Sequence, residues 1–368
     1  MPKPDNPFIR YRERLDSYRA VQSGRLSDDR FVEMVSDLDR AVTDVEGHSF
    51  EMTPLVDGAA LAAAADLGVE LWIKAEHGNV GGSHKARHLF GVAVQMLVDE
   101  ELGAEPAERL AIASCGNAAL GAGVVAAALD RPLDVFVPTW ADEAIVARLD
   151  DLGAEVNRCP RVEGESGDPA YLRFREAVTG GVRSFSVQGT DTPTTFDGGR
   201  TLGWELADQM PGGLSPDDAL YIQVGGGALA TAVSMAAPEP RLYPVQTEGC
   251  APLRRAWDLL EPDFDFDRAA ASPAQYMWPW ETEPTSLATG ILDDVTYDWL
   301  PLLRLTRQSG GEPIVVGESL IERAYALAHA NTPIPVSATG SAGLAGLLHS
   351  GRTEGRAIVL FTGIDDRT

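Results

Sequence analysis

The chain has 368 residues, enough for one large domain or two medium ones around a substantial core. Hydrophobic residues at 44% and charged residues at 23% describe an ordinary globular protein, and a formal net charge of -25 argues against nucleic acid and anionic membranes as partners. No apolar run approaches the ~18 residues of a membrane span, and the opening MPKPDNPFIRYRERLD has no apolar signal core, so a cytoplasmic protein is expected.

Residues 1–50 read as a helical extension, in which Phe31, Val32, Met34, Val35, Leu38 and Val42 recur at helical intervals. Beyond it, apolar runs alternate with helical stretches. Strands are expected at Leu71–Lys74, Leu110–Ala113, Val135–Val137, Ser184–Val187, Leu220–Val224, Tyr243–Gln246, Ile314–Val316 and Ile358–Phe361. Helices are expected near 84–100, 117–129, 141–152, 168–179, 197–209, 227–236, 318–330 and 341–349. This alternation predicts an α/β fold with mostly parallel sheets flanked by helices. The stretch ASPAQYMWPWETEPTS, residues 271–286, reads as a long loop, a lid or a subunit contact.

Three segments carry chemistry. In GNVGGSHKARHLFG, residues 78–91, a glycine-rich turn delivers Ser83, His84 and Lys85 to a helix start. The only lysines are Lys3, Lys74 and Lys85, so a lysine here stands out; a buried one has a lowered pKa, which suits covalent chemistry with a carbonyl. The bland alternative is a solvated surface lysine, and the spacing of a P-loop is not met. In ASCGNAALGAG, residues 113–123, a strand turns into a helix through Ser114, Cys115, Gly116 and Asn117. Amides at such a corner bind a carboxylate or another anion, or simply form a tight turn capped by asparagine. In YIQVGGGALATAV, residues 221–233, Gly225, Gly226 and Gly227 lead from a strand into a helix and can wrap a phosphate. Gly225, Gly227 and Ala230 also satisfy a dinucleotide fingerprint, with Glu248 as its ribose acid.

Together these segments resemble the fold type II pyridoxal 5'-phosphate enzymes, the tryptophan synthase β-like superfamily, over about Thr53 to Gly363. Thr53–Leu55 (TPL) resembles the family's opening motif, GGSHK its Schiff-base lysine segment, SCGNAALG its asparagine loop and VGGGAL its phosphate cup. VSATGSAGLAGLL, residues 336–348, resembles the segment whose hydroxyl faces the pyridine nitrogen, with Thr339 at that position. The resemblance implies two domains with the cofactor in the cleft between them: a large one of 51–91 and 189–368, and a small one of 92–188 that carries the asparagine loop. It also implies a homodimer. Lys85 would hold the cofactor as a Schiff base and later move the Cα proton of an amino-acid substrate. Gly225, Gly226, Gly227, Ala228 and Leu229 would offer amides to the phosphate. Ser83, Ser114, Cys115, Gly116 and Asn117 would face the substrate, its carboxylate above all, with Asn117 also on the ring's 3'-oxygen. His84 would touch the phosphate or pack under the ring. A neutral hydroxyl at Thr339 leaves the ring a mild electron sink, which favours elimination or replacement at Cβ over transamination.

VQTEGCAPL (245–253), SLATGI (286–291) and FTGIDD (361–366) are similar to threonine synthase stretches. Threonine synthases and dehydratases usually place Phe before the lysine and an Arg-Gly pair after it; here the run is Ser83-His84-Lys85-Ala86-Arg87-His88. The expected activity is therefore a threonine synthase-like lyase or synthase acting at Cβ or Cγ. Its alternatives are a serine/threonine ammonia-lyase, a non-catalytic cofactor-binding regulator and, from another class, an NAD-binding oxidoreductase. Arg200 is either a cap or a contact for an acidic substrate. Glu248 is either a solvated strand end or a ligand contact. His84 and His88 share a helix face, but no further ligand completes a metal site, so no metal is expected. Cys115, Cys159 and Cys250 are too scattered for a disulfide framework.

Overall fold

The computed structural model describes residues 5–165, 167–261 and 263–364. Among them the strands are, in chain order, β1 Leu55–Asp57, β2 Glu70–Ala75, β3 Leu110–Ala113, β4 Leu133–Pro138, β5 Glu155–Cys159, β6 Arg183–Ser184, β7 Ala219–Gln223, β8 Arg241–Thr247, β9 Ile314–Val316 and β10 Arg356–Phe361. The chain divides into two compact units, Met1–Met52 with Asn79–Thr201 and Thr53–Gly78 with Leu202–Thr368. This division groups the helix Lys85–Glu101 with the asparagine loop, whereas the expected limits draw the start of that helix with residues 189–368.

The first unit is built on a parallel sheet in the order β5-β4-β3-β6. Its N-terminal part is helical, as expected. Ser27 caps the helix Asp28–Glu46 by accepting from the Arg30 N–H, Asp28 and Asp29 complement the dipole, and Gly47 ends the helix in the left-handed region at φ 87°. The helix buries Phe31, Met34, Val35, Leu38 and Val42, while Val32 is only half-buried.

The second unit carries a six-stranded sheet in the order β1-β2-β10-β7-β8-β9, parallel except for β1 against β2. Both faces are covered, so β7 is buried throughout rather than alternating. Ala219 and Tyr221 enter one core with Val245 and Phe361, while Leu220 and Ile222 enter another with Leu206 and Leu302.

β1 and β5 are absent from the strands expected above. β1 is three residues long, and β5 is a largely polar edge strand; neither carries an apolar signal of its own. The helices Pro252–Leu260 and Trp299–Ser309 are likewise additions. Pro252 and Pro301 suggest interruption but fall in the first turns, where the missing N–H costs nothing. The 271–286 segment is a loop apart from Ala271, which ends the helix Phe266–Ala271, and the short turn Pro273–Gln275. It is tied to the helix Pro252–Leu260 by Arg255, whose guanidinium lies 3.8 Å from the Trp278 ring centre and pairs with Glu281 at 2.8 Å. Among the described residues no helix is long and apolar enough to cross a membrane.

Candidate active site

The first unit carries the lysine turn and the asparagine loop. Gly81 and Gly82 sit at φ 68° and 64°, backbone that only glycine adopts at no steric cost. Asn79 closes this turn by donating from Nδ2 to the Ser83 carbonyl at 2.6 Å, and the Gly81 N–H donates to Glu46 at 3.1 Å. The chain emerges with buried Ser83 and His84, and half-buried Lys85 as the first residue of the helix Lys85–Glu101. The asparagine loop leaves β3 with the Ser114 N–H bonded to the Phe136 carbonyl at 3.2 Å, and the Gly116 N–H donates to Ser114 Oγ at 3.3 Å. Asn117 then opens the helix Asn117–Ala128, and Ser114, Cys115, Gly116 and Asn117 are all half-buried. The two helix starts lie side by side because Gly121 permits it. A Cβ there would stand 3.1 Å from the Ala86 nitrogen.

His88 is fully buried one turn after Lys85, with its ring edge-on to His84 at 5.8 Å. Its Nδ1 lies 2.9 Å from the Thr195 carbonyl, so Nδ1 carries the proton. Burial, then the Lys85 charge and, more weakly, that of Arg87, push its pKa down to about 3. Arg200 pairs with Asp16 at 2.6 Å and with Asp197, and so ties the N-terminal segment to the helix Thr195–Gln209. Among the described residues no cluster of three or more His, Cys, Asp or Glu could hold a metal ion.

The second unit carries the glycine cup and Thr339. Gly227 caps the helix Ala228–Ala236 at φ 99°, in the left-handed region. The N–H groups of Gly225, Gly226, Gly227, Ala228 and Leu229 find no acceptor among the described residues. Five such amides at the positive end of a helix form a phosphate cradle. Gly225 admits no side chain, since a Cβ there would lie 2.2 Å from Asp293 Oδ2 and 3.0 Å from the Ile291 Cα. Thr339 stands in the first turn of the helix Ala338–Ser350, where its Oγ1 accepts from the Gly290 N–H at 2.9 Å. Its own O–H remains able to donate. Buried Gln223 joins the cup strand to that helix, donating to the Gly340 carbonyl at 2.9 Å and to Thr362 Oγ1 at 2.5 Å. Gln223 and Gly290 are supporting residues absent from the candidates named above; SLATGI is the one sequence signal for Gly290.

An amine at a helix start, a ring of unpaired amides and a neutral hydroxyl are what pyridoxal phosphate asks of a protein. A family model described as pyridoxal-phosphate dependent enzyme matches residues 48–363, and the chain belongs to that family. Pyridoxal phosphate is its cofactor. The chain is 30% identical to the serine dehydratase-like protein of Rattus norvegicus over 184 residues, 50% of each chain. It is 28% identical to the L-threo-3-hydroxyaspartate ammonia-lyase of a Pseudomonas species over 217 residues, 58% of this chain and 62% of that one. It thus spans about half the length of the curated relatives it matches. The processed form of threonine deaminase isoform 2 from Solanum lycopersicum shares the fold with a TM-score of 0.67 at 19% identity, covering 93% of this chain and 91% of that one. The fold is that of the type II enzymes. The dinucleotide reading falls with this membership; Glu248 Oε1 instead accepts from the Glu318 N–H at 3.3 Å, at the start of the helix Glu318–Asn331. Asp365 and Asp366 of FTGIDD, like Lys3, lie outside the described residues.

Proposed function

We propose that the protein is an ammonia-lyase that converts a small β-hydroxy amino acid into a 2-oxo acid and ammonia. The observation that carries this reading is the neutral hydroxyl of Thr339, oriented by the Gly290 N–H. The names of the relatives support it: a serine dehydratase-like protein and a hydroxyaspartate ammonia-lyase. Pyridoxal phosphate, when bound, supplies an electron sink for the carbanion at Cα. Lys85 would hold that group through Nζ and would then serve as the base for the Cα proton. The amides of Gly225–Leu229 hold its phosphate. Ser114, Cys115, Gly116 and Asn117 hold the substrate carboxylate and so fix which Cα bond breaks. Thr339 offers one neutral hydrogen bond, which cannot keep a proton on the ring nitrogen as a carboxylate would. A hydroxyl rather than a carboxylate at Thr339 would suit loss of the Cβ hydroxyl over transfer of the amino group. A homodimer is part of the same proposal.

The test is incubation of the loaded protein with single amino acids, L-serine, L-threonine and L-threo-3-hydroxyaspartate. Equal yields of 2-oxo acid and ammonia, with no second substrate, are expected. Threonine formed from a γ-phosphate ester of homoserine would restore the synthase reading. Accumulation of the D-isomer alone would replace lyase by racemase.

A further inference from the structure

The glycine cup has a carboxylate for a neighbour. Asp293 Oδ2 stands where a Cβ on Gly225 would be, and the same oxygen is 3.8 Å from the Cβ position of Gly226. An acidic group thus lies against the first two residues of a cradle whose amides suit an anion. Packing fixes it there. The Cys250 thiol donates to the Asp293 carbonyl at 3.3 Å, the Trp280 N–H to the Asp294 carbonyl at 3.0 Å, and the Asp298 N–H to the Gly226 carbonyl at 2.9 Å. Tyr297 and Thr296 close on Gly226 and Gly227, 3.3 and 3.0 Å from where their Cβ atoms would stand. Within the second unit the groups packed around this carboxylate are mostly acidic or neutral. Asp294 and Tyr297 share its segment, and Asp298 is buried just before the helix Trp299–Ser309. Cys250, just after β8, keeps its proton, because burial and then the charges of Asp294 and Asp293 push the thiol up to about 12. Arg255, on the helix Pro252–Leu260, is felt at Cys250 less than either aspartate and is engaged with Glu281 and the Trp278 ring. A phosphate oxygen that accepts from the Gly225 or Gly226 N–H lies about 3 Å from that nitrogen. A dianionic phosphate there would face Asp293 at short range, and two like charges so placed do not both stay ionised.

We propose that Asp293 makes cofactor binding proton-linked: the phosphate enters the cup with one additional proton, shared between a phosphate oxygen and the Asp293 carboxylate. The proposal rests on the cup of Gly225–Leu229 being the phosphate site. The amides then hold a group of lower charge, and the shared proton joins two oxygens that would otherwise repel. A free phosphate monoester loses its second proton at about pH 6 and a carboxyl group its proton at about 4. At higher pH both partners are ionised before they meet, so the proton comes from water. Affinity is therefore greatest on the acid side and falls as pH rises, by about tenfold per unit for one proton.

The experiment is calorimetric titration of the full chain, stripped of cofactor, with pyridoxine 5'-phosphate, whose alcohol cannot condense with Lys85. Run at about pH 8 in buffers of different ionisation enthalpy, the heats report the protons taken up on binding. The wild type should take up about one proton, and Asp293→Asn, whose amide is neutral at any pH, close to none. From about pH 7 to 9 the wild-type affinity should fall ~100-fold, while that of Asp293→Asn changes little. Lys85→Ala, measured in parallel, removes the titration of that amine and must leave the uptake in place. Uptake absent from the wild type, unchanged in Asp293→Asn or lost in Lys85→Ala overturns the proposal. Asp293→Ser, also neutral, carries the same test if Asp293→Asn does not fold. Failure of pyridoxine 5'-phosphate to bind at all would defeat the cup as a phosphate site and the proposal with it, whereas binding without uptake defeats the proposal alone.

Discussion

Lys74 and Lys85 are eleven positions apart in the sequence and have opposite fates. Lys74 lies in β2 with no exposed surface, and its Nζ donates to the Thr53 carbonyl at 2.6 Å, Glu205 at 2.6 Å and Gln209 at 2.9 Å. Glu205 accepts in addition from the Thr53 N–H at 3.0 Å, and the Thr53 hydroxyl donates to buried Glu76. Three donors meet three acceptors, so this ammonium is a structural cation with nothing left to offer a ligand. The TPL motif has its physical meaning here, since Thr53 is the hub of the network. Lys85 follows a left-handed glycine turn, is half-buried, and stands beside the half-buried asparagine loop. Burial alone does not make a lysine reactive, and the proposed anchor is the lysine that keeps partial access at a helix start.

The largest test of this contrast is Lys85→Ala. Turnover should fall on the order of 10⁴-fold, because both the anchor and the base are lost. Borohydride reduction should then leave no cofactor mass on the peptide that spans residue 85. Retained activity would mean that the wrong lysine has been assigned. Lys74→Met should do the reverse. Removing one member of a buried ion pair costs about 3–5 kcal/mol, read from the denaturant midpoint, while the cofactor still fixes to Lys85. Loss of fixation without loss of stability would erase the distinction. Asn117→Ala should keep the fold and lower turnover ~100-fold, as befits a residue that positions substrate. Near-normal kinetics would reduce SCGNAALG to a turn.

A further test is one of pH. The unfolded chain protonates His88 near the ordinary value of 6.5, whereas the native protein resists until about 3. Acidification through that window therefore favours the unfolded chain, and stability falls as pH drops, by at most about 1.4 kcal/mol per unit. His88→Leu should flatten this part of the stability curve. A curve of unchanged slope would show that His88 is not held neutral by its surroundings.

Much of the site is legible in the chain because it is made by local backbone. Glycines that reach φ 68° and 99°, and helix starts with unpaired amides, depend on neighbours in sequence, so GGSHK, SCGNAALG and VGGGAL announce themselves in order. β3, paired on both sides, is equally plain and runs where expected because buried parallel strands are continuous apolar runs, and the short edge strand β9 is apolar throughout and also runs where expected. Side-chain partnership is another matter. Lys74 meets Glu205 across 131 positions and Arg200 meets Asp16 across 184, pairings that no local pattern encodes. Only the tertiary structure commits one lysine to a closed network and one arginine to its ion pairs, and only it leaves His88 buried with a nitrogen that has no hydrogen-bond partner. A residue's chemistry is set by which groups desolvate it and which satisfy it, and folding alone brings those groups together.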